Sequence, residues 1–234
     1  RTEVELAEKY CDIAGKYGIK VTLVFTGRAC KEEPQMVKIL ANLSHCEIGG
    51  HTFAAFRDPL SRIFKKVCGT PWGTKAHQLR DIHRTITSIH QVTGQRIQTW
   101  RNHSYLRTAD TDRMLESCGI SVVSDEVSDL KISAEWVSPA FRSVPMNVLP
   151  DHEHVLHGKY QHGKTRPDRL KRRVTIMEWA VLVKRRIREI CETGGTATVL
   201  AHPLCMEVAD GMTVFEDLCQ FSQQYGTVWV SEVQ

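Results

Sequence analysis

The sequence predicts an α/β fold with parallel strands, and three observations carry that prediction. Helix–glycine–strand junctions recur along the chain, helical apolar stripes separate strand-like apolar runs, and several of these runs end in a histidine. Glycine directly after a helix adopts the left-handed turn that closes the helix at little steric cost. Alternating helices and strands are typical of a parallel sheet covered by helices, and they argue against an all-β or purely helical fold.

Each of the five strands predicted in this way follows a helix and a glycine. The apolar stripe of the first helix consists of Val4, Ala7, Cys11 and Ala14, and that of another helix consists of Leu79, Ile82, Ile86 and Ile89. The strands predicted after such helices cover residues 19–25, 97–100, 120–123, 196–200 and 227–230. In a parallel sheet, the carboxyl ends of the strands lie at one edge and converge on one site.

The rest of the chain adds a β segment and one more helix. Two short β-like pieces, 141–144 and 146–149, predict a hairpin or a strand with a long following loop. A helical stripe is formed by Leu170, Val174, Met177 and Val181. The chain opens on a helix, whereas a (β/α) barrel opens on a strand, so we expect the first strand of such a barrel to be missing. We assign residues 1–234 to a single domain.

Composition indicates a globular domain without a membrane span. The net charge of +4, from 31 basic and 27 acidic residues, is too small to indicate a nucleic-acid partner by itself. No apolar run approaches the roughly 18 residues that cross a bilayer, and no signal peptide is recognisable. Eight cysteines without a C-x-x-C pair indicate reduced, mostly buried thiols, which favours a cytoplasmic setting.

Two histidines follow predicted strands. His51 comes directly after Gly49-Gly50, where bare backbone allows a ligand or metal to approach. It is either a metal or substrate contact, with Thr52 orienting it, or a loop residue that caps a turn. His202 in Leu-Ala-His-Pro suits a general acid, oriented by Asp151 or Asp125, or it is a structural residue at a strand end.

The segment after residue 100 carries three further candidates. Arg101, His103 and Tyr105 alternate, so in an extended conformation their side chains point the same way. Arginine could hold a carboxylate, and the tyrosine hydroxyl could stabilise an oxyanion.

Two polar clusters have both functional and solvated interpretations. Asp151, His152, Glu153 and His154, with His157 beyond, form the densest ligand cluster, and its H-x-H spacing suits metal or substrate binding on one side of an extended segment. Solvation of a polar loop is the alternative. Nine basic residues between 166 and 188 indicate the solvated face of an outer helix more than an acidic-ligand site. His83 and His90 are expected on a helix surface.

In their order along the chain, these motifs resemble the polysaccharide deacetylases, carbohydrate esterase family four. The motifs are strand-Gly-His-Thr at His51, Arg-x-x-x-Tyr from Arg101 to Tyr105, and Leu-x-His-Pro at His202. The resemblance covers most of the chain, from residues 21–27 to the last predicted strand. It implies a distorted (β/α) barrel and a divalent metal, commonly zinc, held by an Asp-His-His set for the hydrolysis of acetyl groups on carbohydrates.

The resemblance also implies roles for individual residues. His51 would be a metal ligand, His202 the general acid, Arg101 the support of a catalytic aspartate, and Tyr105 a neighbour of the oxyanion site. The sequence departs from the family in its opening Thr-Phe-Asp-Asp-Gly motif, which has no match. Ala55 stands where the family has its second histidine, so we expect His103 to replace that ligand, or else His152 or His154. Loss of the metal would instead make the chain a non-catalytic protein that binds a glycan or a partner.

Overall fold

The computed structural model describes residues 2–155 and 174–234, and these divide into two units. One, which we call the helical unit, contains Arg1–Lys20, Val127–Ser133 and Pro145–Thr227. The other, the sheet unit, contains Val21–Glu126, Ala134–Val144 and Val228–Gln234. The assignment of the whole chain to a single domain stays a prediction.

The sheet unit is built on a mostly parallel sheet, as the sequence predicted. Within the described residues its strands are β1 (Val21–Phe25), β2 (Cys46–Gly50), β3 (Thr99–Trp100), β4 (Val122–Val123), β5 (Glu135–Ser138) and β6 (Phe141–Ser143). Their order is β1-β2-β3-β4-β6-β5, with every neighbouring pair parallel except the β5–β6 hairpin. The α/β class is therefore confirmed, and the described sheet is an open ladder that ends at β1 and β5.

The sheet unit has five α-helices among the described residues, and the longest begins and ends at residues suited to those positions. They are α2 (Gly27–Glu32), α3 (Pro34–Ala41), α4 (Pro59–Cys68), α5 (Lys75–Thr93) and α6 (Ala109–Ser117). The Thr74 hydroxyl accepts from the amide of His77 at the start of α5, and Gly94 ends that helix with φ 72°. Ile82 and Ile89 of the predicted stripe are fully buried, so the long helix covers the sheet as expected.

Close packing between β2 and β3 explains the two glycines at the end of β2. A Cβ at Gly50 would lie 2.3 Å from Cε3 of the buried Trp100 side chain. A Cβ at Gly49 would lie 3.0 Å from the backbone oxygen of Thr99. The sequence predicted that bare backbone here admits a ligand or metal. The structure corrects this, because the space is filled by Trp100 and by the neighbouring strand.

The helical unit is held together by apolar contacts between helices. Its described helices are α1 (Glu3–Lys16), α7 (Asp151–His154), α8 (Ile176–Glu192), α9 (Pro203–Asp210) and α10 (Thr213–Ser222). Helix α1 packs against α9 and α10, and the rings of Tyr10 and Phe215 stack with centroids 3.7 Å apart. All four residues of the predicted α1 stripe are buried. The pKa of Tyr10 lies well above its ordinary value because its phenol is buried.

Two predicted strands are wrong. In both segments, backbone amides donate to side-chain oxygens and not to the carbonyls of a neighbouring strand. Residues 196–200 form no strand; the amide of Thr198 donates to Oδ1 of Asn147 at 2.8 Å. Residues 227–230 form no strand either. The amide of Trp229 donates to Oε2 of Glu232 at 3.0 Å, within a short turn at the end of the chain.

The helix predicted from the stripe Leu170, Val174, Met177 and Val181 buries a different face. Helix α8 begins at Ile176, where the Thr175 capping box starts it, and its buried residues are Trp179, Ala180, Val183, Ile187 and Ile190. Met177 and Val181 are 64% and 67% exposed. The segment carries two apolar stripes, and the one that contains tryptophan removes more apolar surface from water. Residues 166–173 of the basic segment and His157 lie outside the described residues.

The β segment before residue 150 is a hairpin, as predicted, but with other partners. Strand β6 pairs with β5 instead of with residues 146–149. Met146 makes only an isolated parallel bridge, to Val127. All eight cysteines lie within the described residues and are free thiols, five of them buried, as expected. Among the described residues no helix is long and apolar enough to cross a membrane.

Replacing Gly50 by alanine tests the packing of β2 on β3. The new methyl group would enter the space of the Trp100 ring, and overpacking of this kind costs about 1–3 kcal/mol of unfolding free energy. Urea unfolding followed by circular dichroism measures the loss. Gly226→Ala is the control, because a Cβ there meets nothing within 4 Å, and we expect a change within about 0.5 kcal/mol. Equal effects of the two substitutions would contradict the packing argument.

Candidate functional site

Backbone hydrogen bonds place three chain segments side by side beyond the carboxyl edge of the sheet. The amide of His51 donates to the Phe25 carbonyl at 2.9 Å, and the amide of Arg101 donates to the Gly50 carbonyl at 2.9 Å. The amide of Ser124 donates to the Trp100 carbonyl at 3.0 Å. The parallel ladder therefore continues past the strand ends, and His51, Arg101 and Ser124 leave the sheet at the same edge, where ligands bind in open parallel sheets.

The side chains of His51 and His103 meet beyond this edge. Nε2 of His51 lies 3.1 Å from Nδ1 of His103, and the two rings are inclined by 78°. Nδ1 of His51 lies 2.6 Å from the backbone oxygen of Arg101, so it carries the proton and donates it to that carbonyl. Nε2 of His51 is therefore the nitrogen with the lone pair, and it faces His103.

Two histidine nitrogens in this arrangement fit a shared divalent metal. Metal–nitrogen bonds of about 2.0 Å at a tetrahedral ion place two ligand nitrogens about 3.3 Å apart. A backbone carbonyl that accepts from the other ring nitrogen is a common outer contact of a metal-binding histidine. Thr52 does not make the predicted contact, because among residues 2–155 and 174–234 its buried hydroxyl oxygen has no hydrogen-bond partner. His51 and His103 can thus supply two ligands.

The segment after Arg101 is a tight turn, so the predicted extended alternation is wrong. Residues His103–Tyr105 form a single 3-10 turn, with Ser104 at φ 56° and ψ 24°. Tyr105 also has a positive φ, of 57°. Two consecutive left-handed residues reverse the chain. Arg101 and His103 therefore have separate surroundings: the arginine side chain contacts Ser124 and the His103 ring contacts His51.

Arg101 is held by Ser124 beside a buried carboxylate. Its Nε donates to the Ser124 backbone oxygen at 2.7 Å, and its Nη2 donates to the Ser124 hydroxyl at 2.8 Å. Burial lowers the pKa of Arg101 below its usual value, while Tyr105 and Asp125 favour its charge. Asp125 accepts from the amide and side chain of Asn102, both at 2.6 Å, and burial raises its pKa to about 6. Its carboxylate thus fixes Asn102.

In the helical unit, a buried carboxylate holds His202, and it belongs to Asp151, the first of the two aspartates considered from the sequence. Oδ1 of Asp151 lies 2.7 Å from Nδ1 of His202, and Oδ2 accepts from the His202 amide at 2.6 Å. Asp151 is fully buried, whereas the His202 side chain is 33% exposed. His202 does not end a strand, since it is the N-cap residue of α9. One carboxylate therefore fixes both its backbone and its ring.

The Asp-His-Glu-His cluster is a helical turn, not the extended segment predicted for H-x-H metal or substrate binding. Its residues form α7, so His152 and His154 lie on different sides of the chain. His154 is 6% exposed and Asp151 is not exposed at all, which argues against their direct contact with a substrate. His152 is exposed, and its Nδ1 lies 3.3 Å from Sγ of Cys205.

A family assignment comes from the sequence. The profile described as polysaccharide deacetylase matches residues 3–123, which is just over half of the 234 residues. The chain belongs to this family. Its predicted enzyme class, a carbohydrate esterase-type hydrolase acting on non-peptide carbon–nitrogen or ester bonds, is confirmed at the level of the family. Among curated proteins, no sequence matches the chain.

Solved structures of low sequence identity share the deacetylase fold. A Mycobacterium smegmatis protein described as a polysaccharide deacetylase is 15% identical with a TM-score of 0.72, over 97% of this chain and 73% of its own. A family four pseudoenzyme from Bacillus anthracis is 13% identical with a TM-score of 0.57, over 100% and 62%. A family 4 acetyl xylan esterase from Clostridium thermocellum in complex with a cobalt ion is 14% identical with a TM-score of 0.52, over 97% and 82%.

Ala55, which the resemblance assigned to the family's second histidine position, lies in a strained turn. Ala55 and Phe56 have φ values of 50° and 55°, which are uncommon for residues other than glycine. The amide of Phe53 in the same loop donates to Oδ2 of Asp81 at 3.0 Å. Arg84 lies over the Phe53 ring, 3.8 Å from its centroid. These contacts of α5 hold the loop that follows His51.

Four residues in these surroundings were not predicted from the sequence. Ser124 and Asn102 carry no motif of their own, although both follow strands at the carboxyl edge of the sheet. Cys205 stands three residues after His202, a spacing that places both on one face of a helix start. Asp81 lies on helix α5 outside its apolar stripe, and only the structure shows its hydrogen bond with the Phe53 amide.

Burial of the Asp81 carboxyl predicts a pH dependence of stability. Burial raises the Asp81 pKa to about 6 from 3.8, so between these values the folded state binds more protons than the unfolded state. Its contribution to stability therefore falls as the pH rises from 4 to 6. Asp81→Asn keeps an acceptor for Phe53 but cannot ionise, so it should gain stability relative to wild type over this range, on the order of 1–3 kcal/mol.

Urea unfolding of both proteins at pH 4 and pH 7 measures this difference. Asp12→Asn, which changes an exposed aspartate on α1, is the matched control. An identical pH dependence in Asp81→Asn and wild type would contradict the interpretation of the buried carboxyl.

Proposed function

We propose that this chain is a metal-dependent hydrolase that removes acetyl, or other acyl, groups from an amino sugar or polysaccharide. The observation that carries the proposal is the convergence of His51 and His103, whose facing nitrogens lie 3.1 Å apart. The Arg101 carbonyl fixes the tautomer of His51, so that Nε2 can bind a metal. Zinc is the proposed ion, because borderline-soft zinc suits imidazole ligands.

His51 and His103 would hold the metal, and other residues or water molecules would supply its remaining ligands. A divalent ion bound there would polarise an acyl carbonyl and lower the pKa of a bound water. Ser124 fixes the guanidinium group of Arg101. Its positive charge would therefore support nearby carboxylates such as that of Asp125. Tyr105, in the turn that follows Arg101, is the proposed neighbour of the developing oxyanion, to which its neutral hydroxyl would donate.

His202 is the proposed proton donor to the leaving group. Its Nδ1 is engaged by Asp151, so the proton that it transfers would be carried by Nε2. The buried carboxylate compensates the positive charge of the imidazolium that this role requires, and it prevents rotation of the ring. Because Asp151 contacts both the ring and the amide of His202, the ring has a single orientation for proton transfer.

The proposed setting and partners follow from the thiols and the family. Eight free cysteines suit a reducing compartment, which supports the cytoplasmic location proposed from the sequence. A carbohydrate substrate suits a member of the polysaccharide deacetylase family. The related acetyl xylan esterase supports acetyl groups as the moiety removed, and its cobalt ion supports a divalent metal.

A non-catalytic, glycan- or partner-binding role is the second candidate, and Ala55 favours it. The family's second histidine ligand is replaced there by a residue that cannot bind metal, at φ 50°. The similarity to a pseudoenzyme of the same family shows that this fold also occurs without activity. The two candidates differ in whether His51 and His103 bind metal tightly and whether acetate is released.

Metal binding separates these candidates. His51→Ala and His103→Ala should each lower zinc affinity at least tenfold, because each would remove one of the two converging nitrogens. Calorimetric titration with zinc after chelator treatment measures the affinity, with Cys205→Ser introduced into every protein compared so that this thiol cannot bind the ion. His90→Ala is the control, because this exposed histidine lies on α5 and hydrogen-bonds only the Gln95 carbonyl among the contacts described. Equal zinc affinity in wild type and both site variants would favour the non-catalytic role.

Proton transfer is tested by acetate release from acetylated chito-oligosaccharides and acetylated xylan. His202→Ala should reduce kcat about 10²–10⁴-fold through loss of the general acid. Asp151→Asn should reduce kcat less and change its pH profile, because the ring loses its charged partner. His83→Ala, on the surface of α5, should leave kcat unchanged. Unaltered turnover in His202→Ala would remove the proposed role of that residue.

A further inference from the structure

Three potential metal ligands lie together in the helical unit, and none of them belongs to the His51–His103 pair. One ligand atom from each of His152, His202 and Cys205 lies within 4.8 Å of the other two. His152 comes from α7, while His202 and Cys205 come from the first turn of α9. The rings of the two histidines have centroids 5.1 Å apart. We infer that these three residues form a second metal site, selective for zinc.

The distance between His152 and Cys205 agrees with a tetrahedral ion. Metal–sulfur and metal–nitrogen bonds of about 2.3 and 2.0 Å place a ligand sulfur and nitrogen about 3.5 Å apart. Sγ of Cys205 and Nδ1 of His152 are 3.3 Å apart, close to this value, and the remaining pairs of ligand atoms lie within 4.8 Å of one another. Side-chain adjustments of roughly 1 Å would bring the three atoms onto one ion. Three protein ligands leave the fourth position to water or a small ligand, as in open zinc sites.

Asp151 supplies the outer contact that such a site needs. Its Oδ1 lies 2.7 Å from Nδ1 of His202 and also accepts from the His152 amide at 2.7 Å. With Nδ1 engaged by a carboxylate, His202 would bind the metal through Nε2, which is the carboxylate–histidine–metal arrangement. One fully buried carboxylate therefore positions two of the three ligands.

Burial and ligand chemistry determine which ion the site would select. Cys205 is 6% exposed, whereas the His152 side of the site faces solvent, so an ion can enter while the sulfur stays shielded. A thiolate with two imidazoles excludes hard cations such as magnesium and calcium. The charges of one thiolate and the Asp151 carboxylate balance those of a divalent ion. The site thus suits zinc and its spectroscopic substitute, cobalt.

The second site also has a consequence for turnover, which rests on the function proposed above. Nε2 of His202 cannot bind a metal and carry a transferable proton at the same time. An ion bound by Cys205 and His152 would therefore remove the general acid, and excess zinc would inhibit acetate release.

Cobalt titration tests the second site without reference to turnover. The full chain is used with His51→Ala and His103→Ala both present, so that the histidine pair of the sheet unit cannot contribute. We expect one equivalent of cobalt to produce a thiolate-to-cobalt charge-transfer absorption, which histidine ligands alone do not give. Cys205→Ser should abolish this absorption, and Cys68→Ser, which changes an exposed cysteine, should leave it intact.

A second variant keeps the test decisive if Cys205→Ser fails to fold. His152 is exposed, so His152→Ala should fold, and it should bind zinc at least tenfold more weakly than its parent in competition with a chromophoric chelator. Absence of the charge-transfer absorption in the parent would overturn the inference. So would its persistence in folded Cys205→Ser, or an unchanged zinc affinity in His152→Ala. None of these outcomes depends on whether the chain releases acetate.

Discussion

Backbone hydrogen bonds between neighbouring parallel strands determine where the functional residues of the sheet unit lie. The ladder runs past the ends of β1, β2 and β3, and it brings His51, Arg101 and Ser124 abreast. The approach of β2 to β3 is possible because Gly50 leaves room for Trp100. The tight turn that follows Arg101 then returns His103 to His51. The geometry of the histidine pair thus derives from the packing of the sheet beneath it.

Fully or partly buried aspartates have the same role in both units, which is to accept a hydrogen bond from a backbone amide near a functional side chain. Asp81 accepts from Phe53 in the loop after His51, and Asp125 accepts from Asn102 beside Arg101. Asp151 does the same for His202 and in addition binds its ring. A buried carboxylate is costly unless it is hydrogen-bonded, so each of these contacts makes the local backbone conformation hard to abandon.

Structure could be predicted from the sequence where it depends on neighbouring residues in the chain. It could not be predicted where it depends on contacts with residues distant in sequence. Gly94 and Gly119 ended helices as predicted, because a left-handed turn needs only the glycine itself. Residues 196–200 have strand composition, yet a side chain distant in sequence, Asn147, satisfies their backbone. The placement of His51 could be predicted from its strand. Its pairing with His103 was expected from the family resemblance, but the turn that makes the contact was not, because two left-handed residues, Ser104 and Tyr105, reverse the chain without a glycine.

The distribution of tryptophans gives each unit an optical reporter. Trp100 of the sheet unit and Trp179 of the helical unit are both fully buried. Their indole N–H groups donate to Asn102 Oδ1 and to the Leu149 carbonyl, each within the same unit. A buried indole emits at shorter wavelength and is shielded from ionic quenchers, whereas Trp136 is 64% exposed. Trp72 of the sheet unit is buried as well. Replacing Trp100 or Trp179 by phenylalanine would assign the emission of each, so that fluorescence alone could tell whether the two units melt together or in succession.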